Sequence, residues 1–545
     1  MAPRLPYSTG CHSCRRMKVK VIFRSMNASA ASKAAGGASS GSSSSNHTGR
    51  FPLADLVPSP AAPPATPWEV NAAAFFLKSY IQKPKHGFPG YMSFLPGLLA
   101  DNFPLPAHHH LHEAVLAAGC ASLANVTGLS HLGVAAHRHY GRSLQLLTSA
   151  LRDPGQACSD VTLSAIVVLQ KYEVIAGLRE PQDPHGQGLT ELVRLRGPDK
   201  FRSANSQQLL SLIARRQQLQ DLEDQEQDET LGSHFYGPQH DSSSDIVSTA
   251  GSGDLWRLLD TASRAGAHLR TALAASAAGA RVTGSSTSWP GSELQDAMDQ
   301  VYSAHLRLCE WRDRLAPPLR YRVYRVRSSP NPRPGPRRTS AGVCSRSKND
   351  DGDTDEGDDL DAVFPRQYYL FHSVQHGAMW LGYWCAQVHL LHIYHVALHR
   401  LAPPAMLGVS PSEGVVAHRE LVGRRLRATV DDICASVPYM MNEIDGRGSP
   451  ITPPNPGGGG GGGEGGRQAG ESNAMTTSLG AFFLLRGLYV VISSLGGNLA
   501  ASRRAYVLAT LSRIGHVKGI KLALGARDAY IREHGDGASP ATVQG

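Results

Sequence analysis

The stretch Ser159-Asp160-Val161-Thr162-Leu163-Ser164-Ala165-Ile166-Val167-Val168-Leu169-Gln170-Lys171-Tyr172-Glu173-Val174-Ile175-Ala176 decides the fold. Ser159 and Asp160 offer side-chain oxygens to the free N–H groups of a first helical turn. From Val161 to Ala176 there is neither Gly nor Pro. Leu163, Ile166, Val167 and Leu169, joined by Val161, Ala165 and Val168, cover every face of the helix. A helix that is apolar all round belongs in a protein interior.

Outward from it, helical periodicity recurs at Leu111–Leu123, His137–Leu151, Gln207–Leu219, Leu255–Ala275, Glu293–Leu315, Arg366–Leu401, Gly414–Ser436, Thr477–Leu495 and Ser502–Arg527. Alternation of strand type is nearly absent. Tyr321–Arg327 alternates, but among Arg and Pro residues. The expectation is an all-α body, a helix array interrupted by long insertions. Those insertions are compositional. Asn27–Pro67 is rich in Ala, Ser, Gly and Pro, and Asp221–Gly253 is acidic and then Ser-rich. Residues 316–362 carry nine basic residues between Arg320 and Lys348, then eight acidic ones between Asp350 and Asp361. Gly446–Ser472 holds an unbroken run from Gly457 to Gly463. Such stretches bury too little apolar surface to offset the entropy of ordering them, so disorder is expected.

The chain has 545 residues, a formal net charge of +9 and eight Cys. That length supports several units of ordinary size, and eight Cys is too few for a disulfide scaffold. No stretch of about 18 uncharged apolar residues occurs. Ala481–Leu499 contains Arg486, and Met379–Leu398 carries His389, His392 and His395, so both read as buried helices. With no signal-peptide pattern at Met1, the reading is a soluble intracellular protein with reduced thiols and no membrane partner. The charge is concentrated: residues 1–25 hold six basic side chains and no acid, which leaves +3 of the +9 for everything after.

That basic stub reads Gly10-Cys11-His12-Ser13-Cys14-Arg15-Arg16-Met17-Lys18-Val19-Lys20-Val21. Cys11 and Cys14 have the spacing with which two thiolates grip one zinc ion. Arg15, Arg16, Lys18 and Lys20 offer phosphate contacts. The segment resembles the start of the fungal binuclear zinc cluster, the Zn2Cys6 DNA-binding domain, with Cys11, Cys14, Arg15, Lys18 and Lys20 in register. The resemblance implies that Cys11 and Cys14 are zinc ligands and that Lys18 reaches base edges of double-stranded DNA. Arg15 and Lys20 would support it. The match stops at Val21, where the third cysteine should fall, and the next cysteine is Cys120. Four of the family's six ligands are missing, so stable zinc binding is not expected of this chain. Two explanations stand: a decayed domain, or an intron translated from a GT that begins the Val21 codon.

The body resembles the regulatory domain found downstream of such clusters, the fungal-specific transcription factor domain. The matching pieces include Ala74–Tyr80, Leu111–Ala124, Tyr140–Leu151 followed by Asp153-Pro154, and Asp160–Glu173. His185-Gly186-Gln187-Gly188 with Leu192–Gly197, Ile433–Tyr439 and Leu488-Tyr489-Val490 complete the set. The resemblance implies a zinc-dependent, sequence-specific regulator of RNA polymerase II genes, located in the nucleus, with DNA and the transcription machinery as partners. The alternative is a helical interaction protein that has lost DNA binding. On this reading the chain divides into a partial zinc cluster at 1–21, a linker at 22–67, and helical parts at 68–220, 254–315, 363–445 and 476–530. Linkers at 221–253, 316–362 and 446–475 separate them. Asn27–Pro67 shows no heptads, so the oligomeric state stays open.

Other constellations are weaker. His185, placed in a loop, is expected to join Glu173 and Arg196 in a buried polar brace rather than an effector site. His108 and His112 are one helical turn apart, but His112-Glu113 is followed by Ala114-Val115-Leu116 and forms no His-Glu-x-x-His motif, so surface or capping histidines are expected. His389, His392, His395 and His399 recur near one face, where the near acidic or Cys candidate is Cys385, so buried or groove-lining histidines are expected. Cys120, Cys158, Cys309, Cys385 and Cys434 read as small core residues, and Cys344 as a free thiol in a basic linker. Gly37-Ala38-Ser39-Ser40-Gly41 imitates a nucleophile elbow without the strand and helix it needs. No phosphate-loop lysine pattern appears, so an enzyme is not expected.

Overall fold

The computed structural model describes residues 67–84, 90–102, 109–178, 184–223, 252–283, 292–325, 364–401, 413–445, 448–449 and 477–534. Over these residues the architecture is all-α with one small antiparallel ribbon. The first helices are α1 (Pro67–Tyr80), α2 (Leu95–Asn102), α3 (His109–Thr127), α4 (Ser130–Arg152) and α5 (Asp160–Ala176). Next come α6 (Pro184–Arg196), α7 (Ala204–Glu223), α8 (Ser252–Thr283) and α9 (Ser292–Arg314). Strands β1 (Arg322–Arg325) and β2 (Gln367–Leu370) lead to α10 (Val374–Leu401), α11 (Glu413–Met440) and α12 (Thr477–Leu495). The last two are α13 (Ala501–His516) and α14 (Leu522–His534).

The interior helix lies where its composition puts it. Ser159 Oγ accepts the Thr162 N–H at 3.2 Å and caps α5. Gly177, at φ 72°, closes its far end in the left-handed region, where an L side chain is costly. Every residue from Val161 to Ile175 is buried. α5 packs against α3, α4, α6, α7 and α14. The first core gathers Phe76, Tyr80, Leu111, Tyr140, Leu163, Ile166 and Tyr172 around it.

A second core surrounds α10, which touches α7, α8, α9, α11 and α12. Its centre is aromatic: Trp380 and Trp384 of α10 lie against Tyr321, and Trp311 of α9 against Trp380 and Tyr383. The two cores meet at α12. Phe482 meets Tyr80 edge-on with centroids 6.2 Å apart, and Phe483 meets Tyr91 edge-on at 5.0 Å. The stretch Ser478–Asn498 is long and apolar enough to cross a membrane by length and composition. In this fold Leu479, Leu484, Leu488 and Val491 are fully buried at the seam.

Four expectations change. Residues 316–325, expected in a disordered linker, hold a helical turn at Pro317–Leu319 with Leu319 buried, followed by β1. Arg366–Leu401 is not one helix, because Gln367–Leu370 pairs with Arg322–Arg325 in register Arg322↔Leu370. The aromatic residues of this ribbon explain it: Tyr321 stacks on Tyr369 at 4.1 Å, and the Tyr369 hydroxyl donates to Asp432 at 2.5 Å. The helix starts only after Ser373, whose Oγ accepts the His376 N–H at 3.3 Å. Ser502–Arg527 is likewise two helices, broken at a turn where Gly519 has φ 72°. His185 sits in the first turn of α6 rather than in a loop.

Candidate functional site

Polar side chains on an interior helix must find partners inside the protein, because leaving one unpaired costs on the order of 1–3 kcal/mol. The polar residues of α5 therefore mark where the fold is pinned. Glu173 is the innermost. Its Oε1 accepts the Tyr140 hydroxyl at 2.9 Å and lies 3.0 Å from His185 Nε2, so α4, α5 and α6 converge on one buried carboxylate. Tyr172 stacks on Tyr140 at 4.5 Å, and burial pushes its phenol pKa up.

At the other end of α5, Asp160 holds Arg196 and Ser206. Arg196 donates to Asp160 Oδ1 at 2.5 Å, and Ser206 donates to Oδ2 at 2.5 Å. The guanidinium also covers the Phe201 ring at 3.9 Å. The expected brace of His185, Glu173 and Arg196 is thus two braces. His185 and Arg196 lie at opposite ends of α6, and each takes its own carboxylate from α5. Buried Lys171 projects from the middle, with Nζ 4.1 Å from the Phe482 centroid and 5.4 Å from that of Tyr91. It ties α5 to the seam helix α12.

Neighbouring helices add four contacts that the sequence reading missed. Glu113 of α3 lies 2.6 Å from His139 Nδ1 and 3.3 Å from Arg142 Nε. Glu69 of α1 approaches His139 Nε2 at 3.4 Å. Buried His110 has its Nε2 3.3 Å from the Thr162 hydroxyl. A carboxylate within the Ala-rich run 111–124 was the one signal in the sequence for such a brace.

The histidine sets hold no such centre. Among the described residues no group of three or more His, Cys, Asp or Glu could hold a metal ion. His108 lies outside the described residues; burial lowers the pKa of His112. His389 is pushed down to about 3, chiefly by burial and then by Arg486 and Arg270. His395 and His399 approach through their Nε2 atoms at 3.1 Å. Cys120, Cys385 and Cys434 are buried, while Cys158 and Cys309 are half-buried. Cys11, Cys14, Arg15, Arg16, Lys18 and Lys20 all lie outside the described residues, as do Cys344 and Gly37–Gly41.

Residues 81–227 match the family model of the fungal specific transcription factor domain. The matched stretch runs from α2 through α7 and contains α5 with both of its carboxylate braces. Glu69, Phe482 and the C-terminal helices that complete the packing lie outside it. No curated protein and no solved structure matches the chain. The matched family is one of transcription factor domains, not of enzymes.

Proposed function

We propose that this chain is a transcription regulator acting on RNA polymerase II genes in the nucleus, and that its helical body is the regulatory domain. The observation that supports this most is the family match over residues 81–227. It falls on the helices that build the interior hub around α5. A body built around one fully buried helix pinned by internal carboxylates suits a scaffold that meets the transcription machinery and orders an N-terminal DNA-binding segment.

In this reading the N-terminal segment contacts double-stranded DNA through Arg15, Arg16, Lys18 and Lys20, mostly at phosphates. The residues present do not fit a binuclear zinc cluster. Cys11 and Cys14 supply two thiolates, whereas one closed zinc site takes four ligands. A short segment with no metal has no core of its own. The chain as written therefore binds DNA weakly, through charge alone, and a gene product carrying the missing cysteines binds two zinc ions and specific sites.

Zinc content of the purified full chain, with titration of random duplex DNA at two salt concentrations, tests this. No zinc and weak, salt-sensitive binding is the expected result. Two bound zinc ions would overturn the ligand count. Sequencing transcripts across codons 15–70 separates the two origins of the gap. Uninterrupted message through Val21-Ile22-Phe23 would remove the translated intron and leave a decayed domain. A second reading, an interaction protein that has lost DNA binding, is favoured by the same missing ligands. No zinc and only weak binding by the basic stub support it for this chain, whereas two zinc ions with a steep salt dependence, expected of a gene product carrying the missing cysteines, support the DNA-binding regulator.

A further inference from the structure

Of the five described cysteines, Cys309 on α9 has surroundings of a different kind. Burial raises the thiol pKa of Cys158, and raises that of Cys120 to about 12. Cys434 is pushed up as well, chiefly by burial. Cys309 is half-buried and polar groups face it. His305, one turn before it on α9, brings Nε2 to 3.8 Å from Sγ, and Gln387 of α10 brings its amide nitrogen to 3.7 Å. His305 is oriented in turn. Its Nδ1 lies 2.5 Å from Gln387 Oε1, and its Nε2 lies 3.1 Å from the guanidinium of Arg425 on α11.

These partners fix the tautomer. An amide oxygen only accepts and a guanidinium only donates. Nδ1 therefore carries the proton and donates to Gln387, while Nε2 presents its lone pair to Arg425 and to the thiol. Burial lowers the His305 pKa, Gln387 opposes that, and Arg425 and Arg312 lower it further, so the imidazole is neutral at physiological pH. Thiol, imidazole and orienting amide stand in the order of an activated nucleophile. The Tyr383 hydroxyl of α10 and the Arg312 guanidinium of α9 also face the thiol.

We propose that Cys309 is a reactive thiol, a modification site for soft electrophiles of the α,β-unsaturated carbonyl class, with His305 as the base and Gln387 as its positioning residue. In the reaction the thiol proton passes to His305 Nε2 and the sulfur pair forms a bond to the β-carbon. The carbon–carbon π pair moves onto the α-carbon and carbonyl as an enolate. The α-carbon then takes a proton back from the imidazolium, so the thioether adduct contains every atom of both reactants and His305 returns to neutral. Cys309 lies between α9, α10 and α11, so the adduct would sit at the edge of the second core.

The test is a time course of alkylation of the folded full chain by N-ethylmaleimide, followed by peptide mapping. Mapping separates Cys309 from Cys11, Cys14 and Cys344. Cys309 should label faster than Cys158, which is also half-buried. His305→Gln should slow Cys309 and move its rate profile to higher pH. Gln387→Leu should slow it too, with far-UV circular dichroism unchanged in both. Labelling of Cys309 no faster than Cys158, or a rate and pH profile untouched by His305→Gln, would overturn the proposal. Should His305→Gln unfold, Gln387→Leu carries the test instead, because it removes the group that orients the imidazole; an unchanged labelling rate then counts against the proposal.

Discussion

Gly119 on α3 offers a test in which two opposing energies decide the sign. In the interior of a helix, replacing Gly by Ala stabilises by up to about 1 kcal/mol, because Gly has the larger backbone entropy to lose. At Gly119 an added Cβ would collide with the carbonyl oxygen of Ala72 on α1, with the carbonyl carbon at 2.6 Å and the Ala73 nitrogen at 3.1 Å. These obstacles are backbone, so no side-chain rotation relieves them, and α1 must move as a body. α1 is held by fully buried Phe76 and Tyr80 and by the approach of Glu69 to His139. Overpacking of this kind costs roughly 1–3 kcal/mol, which exceeds the gain in propensity. We therefore expect Gly119→Ala to lose up to about 2 kcal/mol net of these two effects. Gly141→Ala on α4, where a Cβ would meet nothing within 4 Å, should gain up to about 1 kcal/mol. Urea unfolding followed by far-UV circular dichroism measures both. Equal stabilisation by the two substitutions would refute the close crossing of α1 and α3.

Asp432 gives a dependence on pH. Burial raises its pKa to about 6, against the hydrogen bond from Tyr369. A carboxyl whose pKa is higher in the folded state favours the fold while it is protonated, and loses that contribution as pH rises from about 4 through 6. The Asp432→Asn variant should gain on wild type over that window by at most roughly 3 kcal/mol, read as the difference between their stability–pH curves. Glu173→Ala strands the Tyr140 hydroxyl and removes the partner of His185, and should cost about 2–4 kcal/mol in urea unfolding. Asp431→Asn removes the charge and one of the two oxygens that accept from Arg503 at 2.6 and 2.8 Å. Both side chains are partly exposed, so a loss of only about 1 kcal/mol is expected, shrinking with added salt. Asn125→Ala removes donations to Ile175 O at 2.9 Å and Gly519 O at 2.8 Å. It should cost about 1–2 kcal/mol in the same assay.

The fold was legible where burial is written in composition. α5 can be read residue by residue, from the Ser159 cap to the all-round apolar surface, because a helix buried on every side leaves no polar face to confuse the period. Thr477–Leu495 was read to its observed bounds for the same reason. The ribbon was hidden. Gln367-Tyr368-Tyr369-Leu370 becomes a strand because Arg322–Arg325 supplies its hydrogen bonds from across the sequence, and no window around residue 367 contains that partner. The break at Gly519 was hidden in a similar way, since the turn is held by Asn125, almost 400 residues away in sequence. Pairings of buried charges were the least legible. That Arg196 would choose Asp160 and leave Glu173 to His185 depends on which end of α6 each residue occupies. The sequence did show one marker, a carboxylate or lysine inside an apolar helix, which must be answered from somewhere.

Both carboxylates of α5 are answered from within residues 81–227, but part of what closes the helix comes from beyond them. The carbonyl of Ile175, at the C-terminal end of α5, accepts from Asn125 Nδ2 at 2.9 Å and from the Lys521 N–H at 3.0 Å. Helix ends leave carbonyls without intrahelical partners, and a buried one must be met by another segment. Here that segment is the α13–α14 turn, more than 300 residues later in sequence. Gly177 packs on Lys521 at the same place, where a Cβ would lie 3.0 Å from the lysine Cβ. One turn earlier on α5, Lys171 rests on Phe482 of α12. The interior helix of the matched region is thus closed by two segments outside it, one aromatic and one made of backbone hydrogen bonds. The matched stretch is in consequence not a self-contained unit in this protein. Any signal that shifts α12 or the α13–α14 turn acts directly on the C-terminal half of α5, the helix to which α3, α4, α6 and α7 are all pinned.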